Sequence, residues 1–108
     1  MVKPFSVRQA EFDRWHADNP AIWVYFQRFS FDALSSGHKR ISHWLIVNRI
    51  RWEVFLITTG SDYKISNNMI AFYARLWRKT YPEHAMLFNI KRMHGEPFSV
   101  LGETNGNT

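Results

Sequence analysis

The stretch from Trp44 to Ile57 constrains this chain most. Ten of its 14 residues are apolar: Trp44, Leu45, Ile46, Val47, Ile50, Trp52, Val54, Phe55, Leu56 and Ile57. The run contains no Gly or Pro. A breaker-free apolar run longer than about ten residues favours a helix over a buried strand. Its β-branched content also permits a strand over 54–58. A helix that is apolar on all sides is usually buried on all sides, so a helix over about 43–58 is expected at the centre of the domain. It is too short and too interrupted by Asn48, Arg49, Arg51 and Glu53 to span a bilayer, which takes about 18 or more apolar residues.

Around this segment the sequence sets clear stops and starts. Ser6 with Gln9 three residues on reads as a capping box opening a short helix over 7–17. Asn19-Pro20 reads as an N-cap followed by proline at the first helical position. A second helix then runs from Pro20 to Ser35, with Ile22, Phe26, Phe29 and Ala33 on one face and Gly37 as its stop. Ser42 is the expected N-cap of the central helix. Residues 58–62 read as a turn. Ser66, Asn67 and Asn68 offer caps for a fourth helix over about 68–80, in which Met69, Phe72, Tyr73 and Leu76 share a face. A last helical turn is expected over 83–88. Residues 63–65 and 89–93 could form a small two-stranded ribbon. The expected fold is mainly α: a compact bundle of four to five helices, winged-helix-like, in a single domain over 1–98 with a disordered tail over 99–108.

The chain has 108 residues, no cysteine and a net charge of +5. Without cysteine, disulfides, thiolate zinc sites and Cys nucleophiles are excluded. With no signal-peptide core at the start, an intracellular location is expected. The charge is uneven. Residues 1–36 balance four basic groups against four acidic ones, whereas residues 37–98 hold ten basic and four acidic groups. This asymmetry points to an anionic partner, with DNA favoured.

Candidate contacts follow from position. Lys39 and Arg40, in the loop before the central helix, together with Lys64, Arg78 and Lys79, suit phosphate contacts, which add affinity without sequence information. Asn67, Asn68 and Arg75, at and beyond the start of the fourth helix, suit base edges, as on a recognition helix. The bland alternative is that the asparagines are caps and the basic residues a solvated face. Arg49 and Arg51 lie about 200° apart on a helix and form no single patch. Arg49 can pair with Glu53 at i, i+4, and one of the two arginines is expected in a structural polar pair.

Five histidines raise the question of metal. No pair has the i, i+4 spacing, and His38 and His43 have no nearby carboxylate, so no metal or cofactor is expected. His16, beside Trp15, reads as a histidine at the edge of the core. No nucleophile motif or phosphate-cradling loop occurs, and the chain is not expected to be an enzyme. A small nuclease using Glu53, Asp62 and Glu83 is the alternative that chemistry leaves open. Eighteen aromatics are more than a small core obviously needs. A homodimer, or docking on a host protein, would bury the surplus.

Several motifs carry a resemblance. Phe12-x-x-Trp15-His16-x-x-Asn19-Pro20, Arg51-Trp52-Glu53, Asp62-Tyr-Lys-Ile-Ser-Asn-Asn68 and Tyr73-Ala-Arg-Leu76, with Pro82-Glu83, Leu87-Phe88 and Arg92, resemble a family of small phage and prophage proteins of unassigned function. The resemblance covers roughly residues 12–93. It implies a virus-encoded protein working in the host cytoplasm, with a helix-turn-helix-like arrangement, and supplies no catalytic residues.

Overall fold

The computed structural model describes residues 3–57, 65–91, 93, 95 and 96, and of Asn67 and Asn68 the backbone only. Four α-helices, α1 (Phe5–Asp18), α2 (Pro20–Ser35), α3 (His43–Ile57) and α4 (Asn67–Thr80), precede a 3-10 helix, Pro82–Leu87. Among the described residues there is no strand, only one parallel bridge between Ile41 and Phe88. The expected 63–65/89–93 ribbon does not form within the described residues. Instead Ile41 N–H donates to the Leu87 carbonyl at 2.8 Å, so the chain after the 3-10 helix pairs with the entry to α3. Tyr63 and Lys64, the turn over 58–62 and the tail over 99–108 lie outside the described residues.

Local chemistry explains most boundaries. Pro20 occupies the first turn of α2, where its missing N–H has no intrahelical partner to lose. At the other end, Gly37 N–H donates to the Leu34 carbonyl and His38 N–H to the Ala33 carbonyl. Gly37 has φ +93. This is a Schellman stop, and its left-handed residue favours glycine. Ser42 caps α3: its Oγ accepts the Trp44 N–H at 3.2 Å. The capping box expected at Ser6 is absent, because α1 opens two residues earlier, behind Pro4. The Pro4 carbonyl takes the N–H groups of Val7 and Arg8, and Gln9 turns to Asp13 instead.

The centre of the molecule is α4, not α3. Ile70, Phe72, Tyr73, Ala74, Arg75 and Trp77 are all buried, and α4 touches every other helix. Its rings pack on those of α1 and α2: Phe12 meets Phe72 at 5.4 Å and Tyr73 at 4.9 Å, and Phe31 meets Trp77 at 4.9 Å. Two indole N–H groups of this aromatic core are paired. Trp15 Nε1 donates to Tyr73 Oη at 2.8 Å, and Trp77 Nε1 to the His84 carbonyl at 3.0 Å. His16 stacks on Phe12 at the edge of the core. The expectation that α3 is buried on all sides is overturned. Ile46, Val47, Ile50 and Val54 face inward, while Trp44, Leu45, Trp52, Phe55, Leu56 and Ile57 are exposed. The other helices cover only one side of α3, and its composition does not reveal which. No helix among the described residues is long and apolar enough to cross a membrane.

Candidate nucleic-acid interface and the outer face of α3

Two of the three basic side chains of α4, Arg75 and Arg78, hold the fold together. Arg75 is 4% exposed and lies against Glu96, itself fully buried. Its Nε donates to Glu96 Oε2 at 2.5 Å and its Nη2 to Oε1 at 2.8 Å, a two-pronged ion pair. The remaining guanidinium donors reach the carbonyls of Ala71 at 2.9 Å and Lys91 at 2.7 Å. Glu96 Oε1 also accepts the Met93 N–H at 2.7 Å. Gly95, at φ +80, makes the turn that carries Glu96 inward. Arg78 Nη2 donates to the Phe88 carbonyl at 3.0 Å. Arg75 and Arg78 thus fasten the segment after the 3-10 helix onto α4. Placed this way, Arg75 cannot extend to a base edge: its donors point at protein carbonyls and a carboxylate, and Lys91 and Glu96 lie against its side of the helix.

Two α3 arginines are engaged within the protein. Arg49 pairs with Glu53 one turn on and sits 4.7 Å above the Phe29 ring. Arg51 donates to the Ile65 carbonyl at 2.7 Å and to Asn48 Oδ1 at 3.2 Å, tying α3 to the entry of α4. Both halves of the Arg-Trp-Glu motif thus have structural work, with the exposed Trp52 between them. His43 packs edge-on to Phe88. Burial, and then the nearby Arg75 guanidinium, hold its imidazole below the usual value of 6.5.

The sequence-derived phosphate contacts divide accordingly. Lys39, Arg40 and Lys79 are exposed. Among the described residues none of the three is in an ion pair. Lys64 and the side chains of Asn67 and Asn68 lie outside what is described. Lys39 borders a cleft of about 370 Å³, where Gly37 and His38 face Glu83, His84 and Met86. Glu83, one of the three carboxylates considered for a nuclease, stands at this cleft. Glu53 is occupied by Arg49, and Asp62 lies outside the described residues. Among the described residues, no three His, Asp or Glu side chains gather as metal ligands would.

No family model, curated protein or solved structure matches the chain. Function has to be argued from its own surface. Sequence reasoning missed two features of the structure. One is Glu96, which lies 21 residues from Arg75 with no local pattern linking them. The other is the outer face of α3, where Trp52 and Phe55 stack at 5.7 Å in solvent. Of the described aromatics, Trp44, Trp52 and Phe55 are the strongly exposed ones, and all three lie on this helix.

Proposed function

We propose that this is a virus-encoded nucleic-acid-binding accessory protein that grips the sugar–phosphate backbone through the loop between α2 and α3. The observation that carries this reading is the exposed Lys39–Arg40 pair, in no ion pair among the described residues, in a chain whose basic excess lies wholly within 37–98. Lys79 adds a third exposed cation. The phosphate contacts expected of Lys39, Arg40 and Lys79 remain part of the proposal, whereas base reading by Arg75 does not. Such a grip is sequence-tolerant and strongly dependent on salt. It requires neither a recognition helix nor a winged-helix arrangement.

A titration of labelled duplex DNA by fluorescence anisotropy tests it. Binding is expected at about 25 mM salt, weakening steeply toward 200 mM. The Lys39→Glu/Arg40→Glu variant should flatten the log–log salt slope by about two, one for each lost phosphate contact. Absence of binding at low salt, or binding indifferent to salt, would contradict the proposal. A second reading, a small viral protein-interaction module, draws on the apolar face of α3. It predicts a complex with a host protein that survives high salt and indifference to DNA.

A further inference from the structure

The exposed residues of α3 form a pattern that is its own mirror along the helix. Leu45, Asn48, Trp52 and Phe55 are spaced 3, 4 and 3 apart, the spacing of the seam between paired helices. Trp44 and Leu56 flank the seam. Reversed about position 50, the set maps onto itself: Trp44 onto Leu56, Leu45 onto Phe55, and Asn48 onto Trp52. An isologous two-fold interface needs this property, because each residue must meet its counterpart's partner.

We propose that α3 pairs with α3 of a second copy of this chain, antiparallel, about a two-fold axis level with Ile50. In this register Leu45 of each copy packs against Phe55 of the other, and Asn48 lies opposite Trp52. The surface is large enough for the task. Leu45, Trp52, Phe55 and Leu56 are 62%, 56%, 65% and 53% exposed. With Trp44 they offer roughly 500 Å² of apolar area, on the order of 100 Å² each. A standard interface takes about 800 Å² from each partner, and the polar residues around the stripe supply the rest. Charge does not oppose the pairing: Arg49, the exposed cation beside the seam, is already neutralised by Glu53. Asn48, held by Arg51, is a polar seam residue of the kind that fixes register in paired helices.

Sedimentation equilibrium of the full chain over about 1–100 µM should show a dimer with a dissociation constant in the micromolar range or tighter. Trp52→Glu places a charge in the seam and should weaken the dimer by on the order of 100-fold while leaving the circular dichroism spectrum unchanged. The absence of cysteine allows a direct test of register. Leu45→Cys mixed with Phe55→Cys should form an intermolecular disulfide under mild oxidation faster than either variant does alone. A parent chain that stays monomeric at 100 µM overturns the proposal. So does a Trp52→Glu variant that dimerises as the parent does, or a Leu45→Cys variant that cross-links to itself faster than to Phe55→Cys.

Discussion

Glu96→Ala is expected to lower the stability of this domain by about 3–5 kcal/mol, the usual cost of leaving one partner of a buried ion pair without the other. The Arg75 guanidinium would remain 4% exposed with no carboxylate beside it. The Met93 N–H would lose its acceptor as well. Since a domain this size has roughly 5–15 kcal/mol of stability in total, the loss is a large share of it. Urea unfolding followed by tryptophan fluorescence measures the change. The double variant Arg75→Met/Glu96→Leu separates charge from packing. It removes both charges, leaving the Ala71 and Lys91 carbonyls without their donor, and should cost only about 1–3 kcal/mol. A double variant less stable than Glu96→Ala would mean that the pair contributes through something other than the charge stranded by a single change.

Trp77→Ala should have an effect of similar size, about 3–5 kcal/mol. Trp77 is fully buried and packs against rings from three elements: Phe26 and Phe31 of α2, Tyr81 after α4, and His84 of the 3-10 helix. Its indole N–H also holds the His84 carbonyl. The cavity left behind cannot collapse easily, because these neighbours are themselves large flat rings fixed by other contacts. By contrast Trp52→Ala, on the exposed face of α3, should change monomer stability by less than about 1 kcal/mol. Thermal unfolding of the two variants side by side gives the comparison. Equal losses would show that α3, not α4, is the central helix.

The helices were legible in the sequence where a local rule sets the boundary. Asn19-Pro20, Ser42 and Gly37 act through their own backbone or through bonds to residues one turn away, so their signals travel with the sequence. The burial ranking of the helices was not legible, for a physical reason. Apolar content says what a helix would prefer to bury, not how many neighbours a chain of 108 residues can bring to it. Sequence favoured α3 for the centre because it is apolar all round. The fold instead gives the centre to α4, whose Arg75 and Arg78 are taken up by partners 21 and 10 residues further along the chain. Arg75 looked like one of a row of exposed cations with Arg78 and Lys79. Its buried position depends on Glu96, brought back by the turn at Gly95, and no spacing rule connects residues 21 apart. The capping box at Ser6 failed because Pro4 offered a carbonyl two residues earlier. The loop cations Lys39 and Arg40 were legible as exposed charge because nothing acidic lies near them in sequence.

These placements change what the basic excess means. Part of it, Arg75 and Arg78, is spent inside the fold, and Arg51 joins α3 to the entry of α4. The part left for a partner includes Lys39 and Arg40 in the loop before α3 and Lys79 at the end of α4. In the proposed antiparallel dimer the two copies of this loop sit at opposite ends of the paired helices. At 1.5 Å rise per residue that separates them by about 30 Å, near the spacing of one duplex turn.

Residue-resolved amide hydrogen exchange, with and without a DNA duplex at low salt, tests the central claim most directly: α4 holds the fold together and the loop before α3 meets the partner. The amides of Ile70 to Trp77 should be the slowest in the free protein, opening only with global unfolding. DNA should leave them unchanged and slow exchange over 37–41. Fast exchange in α4 of the free protein, or new protection on DNA confined to residues 67–75, would contradict the account.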